Sequence, residues 1–251
     1  MDYPLKIFTL GGFEIQLGGK PLFFSARAPE KPLDLLKAVV ALGRPSAPVE
    51  ILEDALWPDA EGDKAAGAFD TTLHRLRKLL DCENALVLRE RTLGLDVQCV
   101  WVDAREFERL CSDFEAGSSD GSPESLLEYT AKARTYYRGE FLPADKRQAW
   151  TVSYREKMRG KWLGLVVKLG RAWEGRGEWE RAAELYGQGL DTDDLVEDFY
   201  QGLMTCHLQL GNRSRALEIY SRCRKVLDAA WGIEPSEKTE GLYRSLKARR
   251  P

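Results

Sequence analysis

The feature that most constrains the fold is a pattern that recurs every 34 residues near the carboxyl end of the chain. Gly177 recurs as Gly211, and Ala182 recurs as Ala216. The same spacing relates three further pairs: Leu169 and Leu203, Leu185 and Ile219, and Tyr186 and Tyr220. Each unit has a glycine between two apolar stretches, which indicates a helix, a turn and a second helix. A fixed period predicts units that stack and share one core.

This period is typical of tetratricopeptide repeats, which are built from pairs of helices. The small alanine lets the two helices of a unit approach closely, and the aromatic residue of the second helix fills the groove against the next unit. Residues 123–138 are interpreted as a degenerate earlier second helix, and residues 231–235 are predicted to end the array before a last capping helix. Since helical patterning begins at Trp101, residues 101–251 are predicted to form a helical-repeat domain.

The first hundred residues have a different pattern. Glycine pairs separate short strand-like runs, which predict a small antiparallel sheet over residues 5–10, 13–17 and 22–24. Terminal proline, glycine and aspartate signals predict helices over residues 32–43, 49–57 and 63–80, the last with Asp63 as its N-cap. A second hairpin is predicted over residues 86–97. A short helix, a longer helix and a hairpin, in that order, indicate a helix-turn-helix with a wing.

The sequence therefore predicts a mainly α protein with a small β content. Residues 1–100 are predicted to form a winged-helix DNA-binding domain, and the tetratricopeptide-like helical domain is predicted to follow over residues 101–251.

The helix predicted over residues 63–80 has two unlike faces. At about 100° per residue, one stripe is apolar and is expected to face the core: Ala66, Phe69, Leu73, Leu76 and Leu80. The opposite side, flanked by Thr72 and His74, carries Lys64, Ala68, Thr71, Arg75 and Lys78. Small and hydroxyl side chains between cations suit a helix in the major groove, where arginine can read guanine. Arg89 and Arg91 occupy the hairpin tip, where a wing would contact DNA.

The overall charge does not itself favour nucleic-acid binding, because the formal net charge is -3. Any DNA contact must come from a local basic face. Four acidic residues lie near that face: Asp59, Glu61, Asp63 and Asp70. Useful affinity is therefore expected to depend on dimerisation, since non-specific affinity scales with the number of phosphates neutralised.

Other function classes find little support. The five cysteines are odd in number and include no CxxC pair, so they are interpreted as reduced thiols; with only two histidines, no metal site and no cofactor are predicted. The chain contains no P-loop, dinucleotide-binding or catalytic arrangement, so it is not predicted to be an enzyme. Without a bilayer-length apolar run or a secretory signal, it is expected to be cytoplasmic and to have no membrane partner.

Short motifs along the whole chain resemble a known family. Two of them resemble the winged-helix domain of the OmpR type: Leu56-Trp57-Pro58-Asp59 and Thr72-Leu73-His74-Arg75-Leu76-Arg77-Lys78-Leu79-Leu80. Others resemble the bacterial transcriptional activation domain: Trp101-Val102-Asp103 with Phe107, Arg138-Gly139-Glu140-Phe141-Leu142, and Gly232-Ile233-Glu234-Pro235. Together they resemble the two halves of SARP-type regulators. The sequence departs from the usual Gly-Tyr pair of the wing, where it has Leu93-Gly94-Leu95.

This resemblance implies that the first half binds direct repeats in double-stranded promoter DNA, and that the second half contacts a dimer partner and RNA polymerase. Carried over to this chain, the recognition-helix role falls on Thr71, Thr72, Arg75 and Lys78. Wing or phosphate contacts fall on Arg77, Arg89 and Arg91, and the basic face also includes Lys64. The alternative hypothesis is a protein-interaction module, either alone or as part of a larger signalling regulator, whose winged helix no longer binds DNA.

Overall fold

A computed structural model of the chain describes residues 3–23, 30–43, 45–82, 84–117 and 121–248. The chain forms two compact units. The first comprises residues 1–110 and 133–158, and the second comprises residues 111–132 and 159–251. None of the helices in the described ranges has an apolar stretch long enough to cross a membrane.

The strands of the first unit form two small sheets, and their bounds are β1 (Leu5–Phe8), β2 (Glu14–Leu17), β3 (Lys20–Pro21), β4 (Ser46–Pro48), β5 (Leu86–Arg89), β6 (Thr92–Leu95) and β7 (Val100–Val102). One sheet has the order β3-β2-β1-β7 and the other has the order β4-β6-β5. The antiparallel β1–β2 pair confirms the first two strands of the predicted antiparallel sheet, and the antiparallel β5–β6 pair confirms the predicted hairpin.

Three details of these sheets differ from the prediction. The third strand begins at Lys20, only two residues being left between it and Leu17, because Gly18 and Gly19 form a two-residue turn with positive φ. The predicted strand over residues 22–24 is therefore wrong for Leu22 and Phe23, and residue 24 lies outside the described residues. Strand β7 pairs in parallel with β1, and the three-residue strand β4 pairs with β6; neither pairing was predicted.

Three helices complete the winged-helix order of the first unit: α1 (Glu30–Leu42), α2 (Val49–Leu56) and α3 (Gly62–Leu80). They confirm the predicted helices to within two residues at each end. The prediction of Asp63 as the N-cap of α3 is wrong, because the cap is Glu61, which makes no side-chain capping hydrogen bond. Asp63 lies in the first turn, where its negative charge favours the positive end of the helix dipole.

A buried carboxylate connects distant segments of the first unit. Asp103, the first residue of α4 (Asp103–Glu115), is 0% exposed. It accepts hydrogen bonds from the backbone N–H groups of Thr9 (2.8 Å) and Leu10 (2.9 Å), and from the Thr9 hydroxyl (2.8 Å). The backbone N–H of Ala104 also donates to it, at 2.7 Å. Burial raises the pKa of Asp103 to about 6 although these hydrogen bonds lower it, so the side chain is mostly ionised at pH 7.

A later segment of the chain closes over the same place. Leu10 and Phe141 form an isolated antiparallel bridge. The backbone N–H of Leu142 donates to the carbonyl of Thr9, and that of Gly11 donates to the carbonyl of Glu140, both at 2.8 Å. The first unit is thus completed by residues that follow its last strand by about forty positions.

The helices that follow confirm the predicted helical pattern: α5 (Pro123–Tyr136), α6 (Ala149–Glu174), α7 (Trp179–Thr192), α8 (Glu197–Gln209), α9 (Arg213–Trp231) and α10 (Glu237–Ala248). The 34-residue units correspond to the pairs α6–α7 and α8–α9, and α10 is the predicted last helix. The glycines that recur, Gly177 and Gly211, lie in the turns within each pair with φ of 74° and 76°. This left-handed conformation favours glycine.

Tyr186 packs against glycines inside two neighbouring helices. Its side chain is only 2% exposed. A Cβ atom added to Gly170 of α6 would lie 2.5 Å from the Tyr186 ring, and one added to Gly202 of α8 would lie 2.3 Å from it. The aromatic residue of α7 therefore fills the groove against the next unit, as predicted. Its counterpart Tyr220 stacks on Tyr243 of α10, with ring centroids 3.9 Å apart.

This packing predicts opposite effects for two glycine substitutions. Gly202→Ala should lower the free energy of unfolding by about 1–3 kcal/mol, because the Tyr186 ring has to shift. Gly164→Ala in α6 should raise it by up to about 1 kcal/mol, since that Cβ would meet nothing within 4 Å and alanine favours the helix. Urea denaturation followed by circular dichroism measures both. Equal effects of the two variants would contradict the close contact at Gly202.

Candidate nucleic-acid interface

Helix α3 has one buried and one exposed face. The buried residues are Ala65, Phe69, Thr72, Leu73, Leu76 and Leu80. On the other side, Lys64, Thr71, Arg75 and Lys78 are exposed, and Ala68 is half-buried. Spacings of three and four residues place these side chains along one face of the helix. The predicted orientation of the helix is therefore confirmed, except that Ala65 is buried where Ala66 was expected and Ala66 is half-buried.

Thr72 does not belong to the exposed face. Its side chain is 6% exposed, and it lies three or four positions from the buried residues Phe69 and Leu76. The helical period therefore places it in the core stripe. This corrects the prediction that Thr72 contacts DNA.

Three exposed groups dominate the centre and end of this face. The Thr71 hydroxyl donates to the carbonyl of Gly67 at 2.9 Å, so its oxygen can still accept a hydrogen bond. Arg75 and Lys78 are exposed, and neither forms an ion pair with another described residue. Both cations are therefore available to phosphates or base edges without first breaking an ion pair.

The remaining cations of α3 are placed differently. Arg77 is exposed, but a separation of two residues turns it about 200° around the helix from Arg75. It therefore points away from the face that carries Arg75. At the amino end, the Lys64 ammonium lies 3.7 Å from the Glu61 carboxylate, and both side chains are largely exposed. This exposed pair weakens the positive charge of that end of the helix.

The β5–β6 hairpin presents two arginines beside an acidic residue. Glu90 and Arg91 form its two-residue turn, with φ of 45° and 59°. The Thr92 hydroxyl donates to the Arg89 carbonyl at 2.8 Å and so closes the turn. Arg89 is exposed and forms no ion pair with another described residue. The Arg91 guanidinium lies 3.4 Å from the carboxylate of Glu53 on α2, so part of its charge is neutralised.

Sequence reasoning interpreted Glu53, with Asp54, as part of a solvated helix face, which is wrong for Glu53: its side chain is 9% exposed and holds the Arg91 side chain. The two residues are 38 positions apart, and no local pattern signals such a pair. The four acidic residues that were noted near this face, Asp59, Glu61, Asp63 and Asp70, are all exposed. The candidate interface therefore consists of exposed cations on α3 and on the hairpin, with exposed carboxylates near the amino end and within α3.

Comparisons with known proteins bear on this arrangement. Residues 102–247 match the family described as the bacterial transcriptional activator domain. Among solved structures, the chain is similar to Mycobacterium tuberculosis EmbR in complex with a low affinity phosphopeptide, with a TM-score of 0.78 and 19% sequence identity. That match covers 100% of this chain and 66% of the EmbR chain. It confirms the predicted fold, an N-terminal winged helix followed by a helical domain. No curated protein matches the sequence.

Proposed function

The chain belongs to the bacterial transcriptional activator domain family, and from this premise we propose that it is a sequence-specific DNA-binding transcription regulator. Its domain content is that of a SARP-type bacterial regulator. The observation that carries the proposal is the exposed row of Thr71, Arg75 and Lys78 on α3, opposite the buried stripe of the same helix. Helix α3 enters the major groove, and the hairpin contacts the flanking DNA.

Each side chain has a proposed role. Arg75 reads a base edge, since arginine can donate two hydrogen bonds to guanine, and Thr71 contacts a phosphate or a thymine methyl group. Contacts to phosphates are proposed for Lys64, Arg77, Lys78, Arg89 and Arg91. Arg77 would contact phosphates away from the Arg75 face, because the two side chains lie on different sides of α3.

The division of labour follows the predicted domains. Residues 1–100 are proposed to bind double-stranded promoter DNA, and residues 101–251 are proposed to contact a second copy of the chain and RNA polymerase. Roughly four to six cations per protomer give a modest dependence of affinity on salt concentration. Two protomers on a direct repeat then raise the affinity, because binding of the second becomes effectively intramolecular.

Arg75→Ala tests the proposed base contact. The variant should bind the preferred DNA site about 1–3 kcal/mol more weakly and should discriminate less between sites, since a base contact is lost. The protein is first used to select sites from random DNA duplexes at low and at physiological salt, and fluorescence anisotropy then measures affinity for the enriched site. Arg77→Ala is the matched control, since it removes the same charge from another face of α3. Its discrimination between sites should equal that of the unaltered chain.

Two other outcomes would change the assignment. If Arg75→Ala weakens binding equally on all sequences, Arg75 contacts only a phosphate. If the chain retains no DNA even at low salt, the first half is a protein-interaction module. The exposed acidic residues before and within α3, such as Asp59 and Asp70, favour this second candidate function, because they repel phosphates.

A further inference from the structure

The second unit contains a cavity between α7, α8 and α9. Its volume is about 370 Å³, which is within the range of small-molecule sites. Three apolar side chains line it, Leu190, Leu203 and Ile219. Polar and charged side chains also line it, including Tyr200, His207 and Arg222. An apolar lining with a few polar groups is the usual make-up of a site for a small organic molecule.

The internal repeat explains why the cavity exists. In the preceding helical repeat, α6–α7, Trp173 occupies the position of His207 and Arg181 occupies that of Arg215, each 34 residues earlier. The Trp173 side chain is 2% exposed, and the Arg181 guanidinium lies 5.0 Å from the centroid of its ring. Histidine is much smaller than tryptophan, so the equivalent place in the later repeat, α8–α9, is left open.

Two buried polar groups in this cavity are left with unused hydrogen-bonding capacity among the described residues. One is the Nδ1 atom of His207; the other is the hydroxyl of Tyr200, a residue that is 0% exposed, because the Arg222 guanidinium beside it can donate to its oxygen but offers its proton no acceptor. Buried polar groups are normally paired, because an unpaired one loses its hydrogen bond to water without replacement. The corresponding residues of the preceding helical repeat, Val166 and Trp173, offer no such pair. Both groups therefore belong to the later repeat, α8–α9, alone.

The charges around the cavity favour an anion next to Tyr200. The Arg222 guanidinium lies 6.0 Å from the centroid of the Tyr200 ring and forms no ion pair with another described residue. The equivalent residue of the preceding helical repeat is uncharged Gln188. Of the other charged residues that line the cavity, Arg215 is already paired with Glu218 at 2.8 Å, and Asp191, like Arg222 itself, is exposed to solvent. Arg222 and the Tyr200 hydroxyl thus offer hydrogen-bond donors in the same part of the cavity.

We propose that this cavity binds a small organic carboxylate. Its apolar body packs on Leu190, Leu203 and Ile219, and its carboxylate accepts hydrogen bonds from Arg222 and the Tyr200 hydroxyl. Burial and the nearby Arg215 lower the pKa of His207, so its ring is neutral at pH 7. The tautomer with its proton on Nδ1 donates to the same carboxylate. This ligand site is independent of DNA binding by the first unit.

The chain has two histidines, which provide a direct test. Proton–carbon NMR spectra of the imidazole rings are recorded while hexanoate, hexanamide or hexylamine is added to the full chain. Hexanoate should shift the His207 signals to saturation, whereas the signals of His74 on α3 should not move. Hexanamide has the same apolar body without the charge and should bind about tenfold more weakly, since hydrogen bonds to a charged group are stronger.

Three variants locate the site. Arg222→Gln should weaken hexanoate binding about tenfold or more. His207→Trp restores the residue of the preceding helical repeat and fills the cavity. Because this variant has no His207 signal, its binding is followed by saturation transfer from the protein to hexanoate, which should be abolished. Lys225→Gln removes the same charge from an exposed position of α9 that does not line the cavity, and it should leave the affinity unchanged. The proposal is wrong if no compound shifts His207, if hexanamide or hexylamine binds as well as hexanoate, or if Arg222→Gln equals Lys225→Gln.

Discussion

Replacing Tyr186 with alanine should lower the free energy of unfolding by about 3–5 kcal/mol, as for other large buried aromatic residues. Its ring fills the space between Gly170 of α6 and Gly202 of α8. It also lies beside the Phe199 ring, at a centroid distance of 6.4 Å. Neither glycine has a side chain that could fill the space, so most of the space left by the removed ring should stay empty in the variant. Urea denaturation of the two chains measures the difference.

Tyr186→Phe is the matched control for this prediction. It keeps the ring and removes only the hydroxyl, which is hydrogen-bonded to Glu174. Its cost should be about 1 kcal/mol, the usual value of one hydrogen bond. If alanine costs no more than phenylalanine at this position, the ring does not hold the two helix pairs together.

Replacing Asp103 with alanine should have a similar effect in the first unit, a loss of about 3–5 kcal/mol. The substitution leaves the backbone N–H groups of Thr9, Leu10 and Ala104 without an acceptor. Each unpaired buried donor costs about 1–3 kcal/mol, and breaking a buried network is among the few mechanisms that give losses of this size. The same denaturation experiment measures the loss.

Asp96→Ala provides the comparison for Asp103. The Asp96 carboxylate also accepts a hydrogen bond from a backbone N–H, that of Gln98 at 2.8 Å, but this bond is exposed to solvent. Water can replace the lost acceptor, so the cost should stay below about 1 kcal/mol. Equal losses for the two variants would mean that the buried network around Asp103 contributes nothing special to stability.

The parts of the fold that were predictable from the sequence are those with a local period. The spacing between Gly177 and Gly211 indicates the helix pairs, and the apolar stripe of Phe69, Leu73, Leu76 and Leu80 fixes the orientation of α3. The exposed position of Arg75 follows from the same stripe, because helical geometry then determines the opposite face.

What could not be predicted depends on distant or fine contacts. The parallel pairing of β7 with β1 joins residues some 95 positions apart, and no turn signal marks it. Thr72 lies at the edge of the buried stripe, where the side chain alone does not decide between core and surface. The cavity beside His207 did leave a signal, the change from Trp173 to His207 at the repeat spacing. It becomes meaningful only once the structure shows that Trp173 is buried.

The bridge between Leu10 and Phe141 also determines when the first unit can finish folding during synthesis. The first unit ends at residue 158, so a nascent chain cannot complete it until that residue has left the ribosome. Until then the Thr9 carbonyl and the Gly11 N–H lack their partners, and these backbone groups remain open to other unfolded chains. A fragment cut at residue 100 would carry the same defect permanently, because it lacks both Asp103 and Phe141. A fragment intended to contain the first unit alone should therefore extend to residue 158.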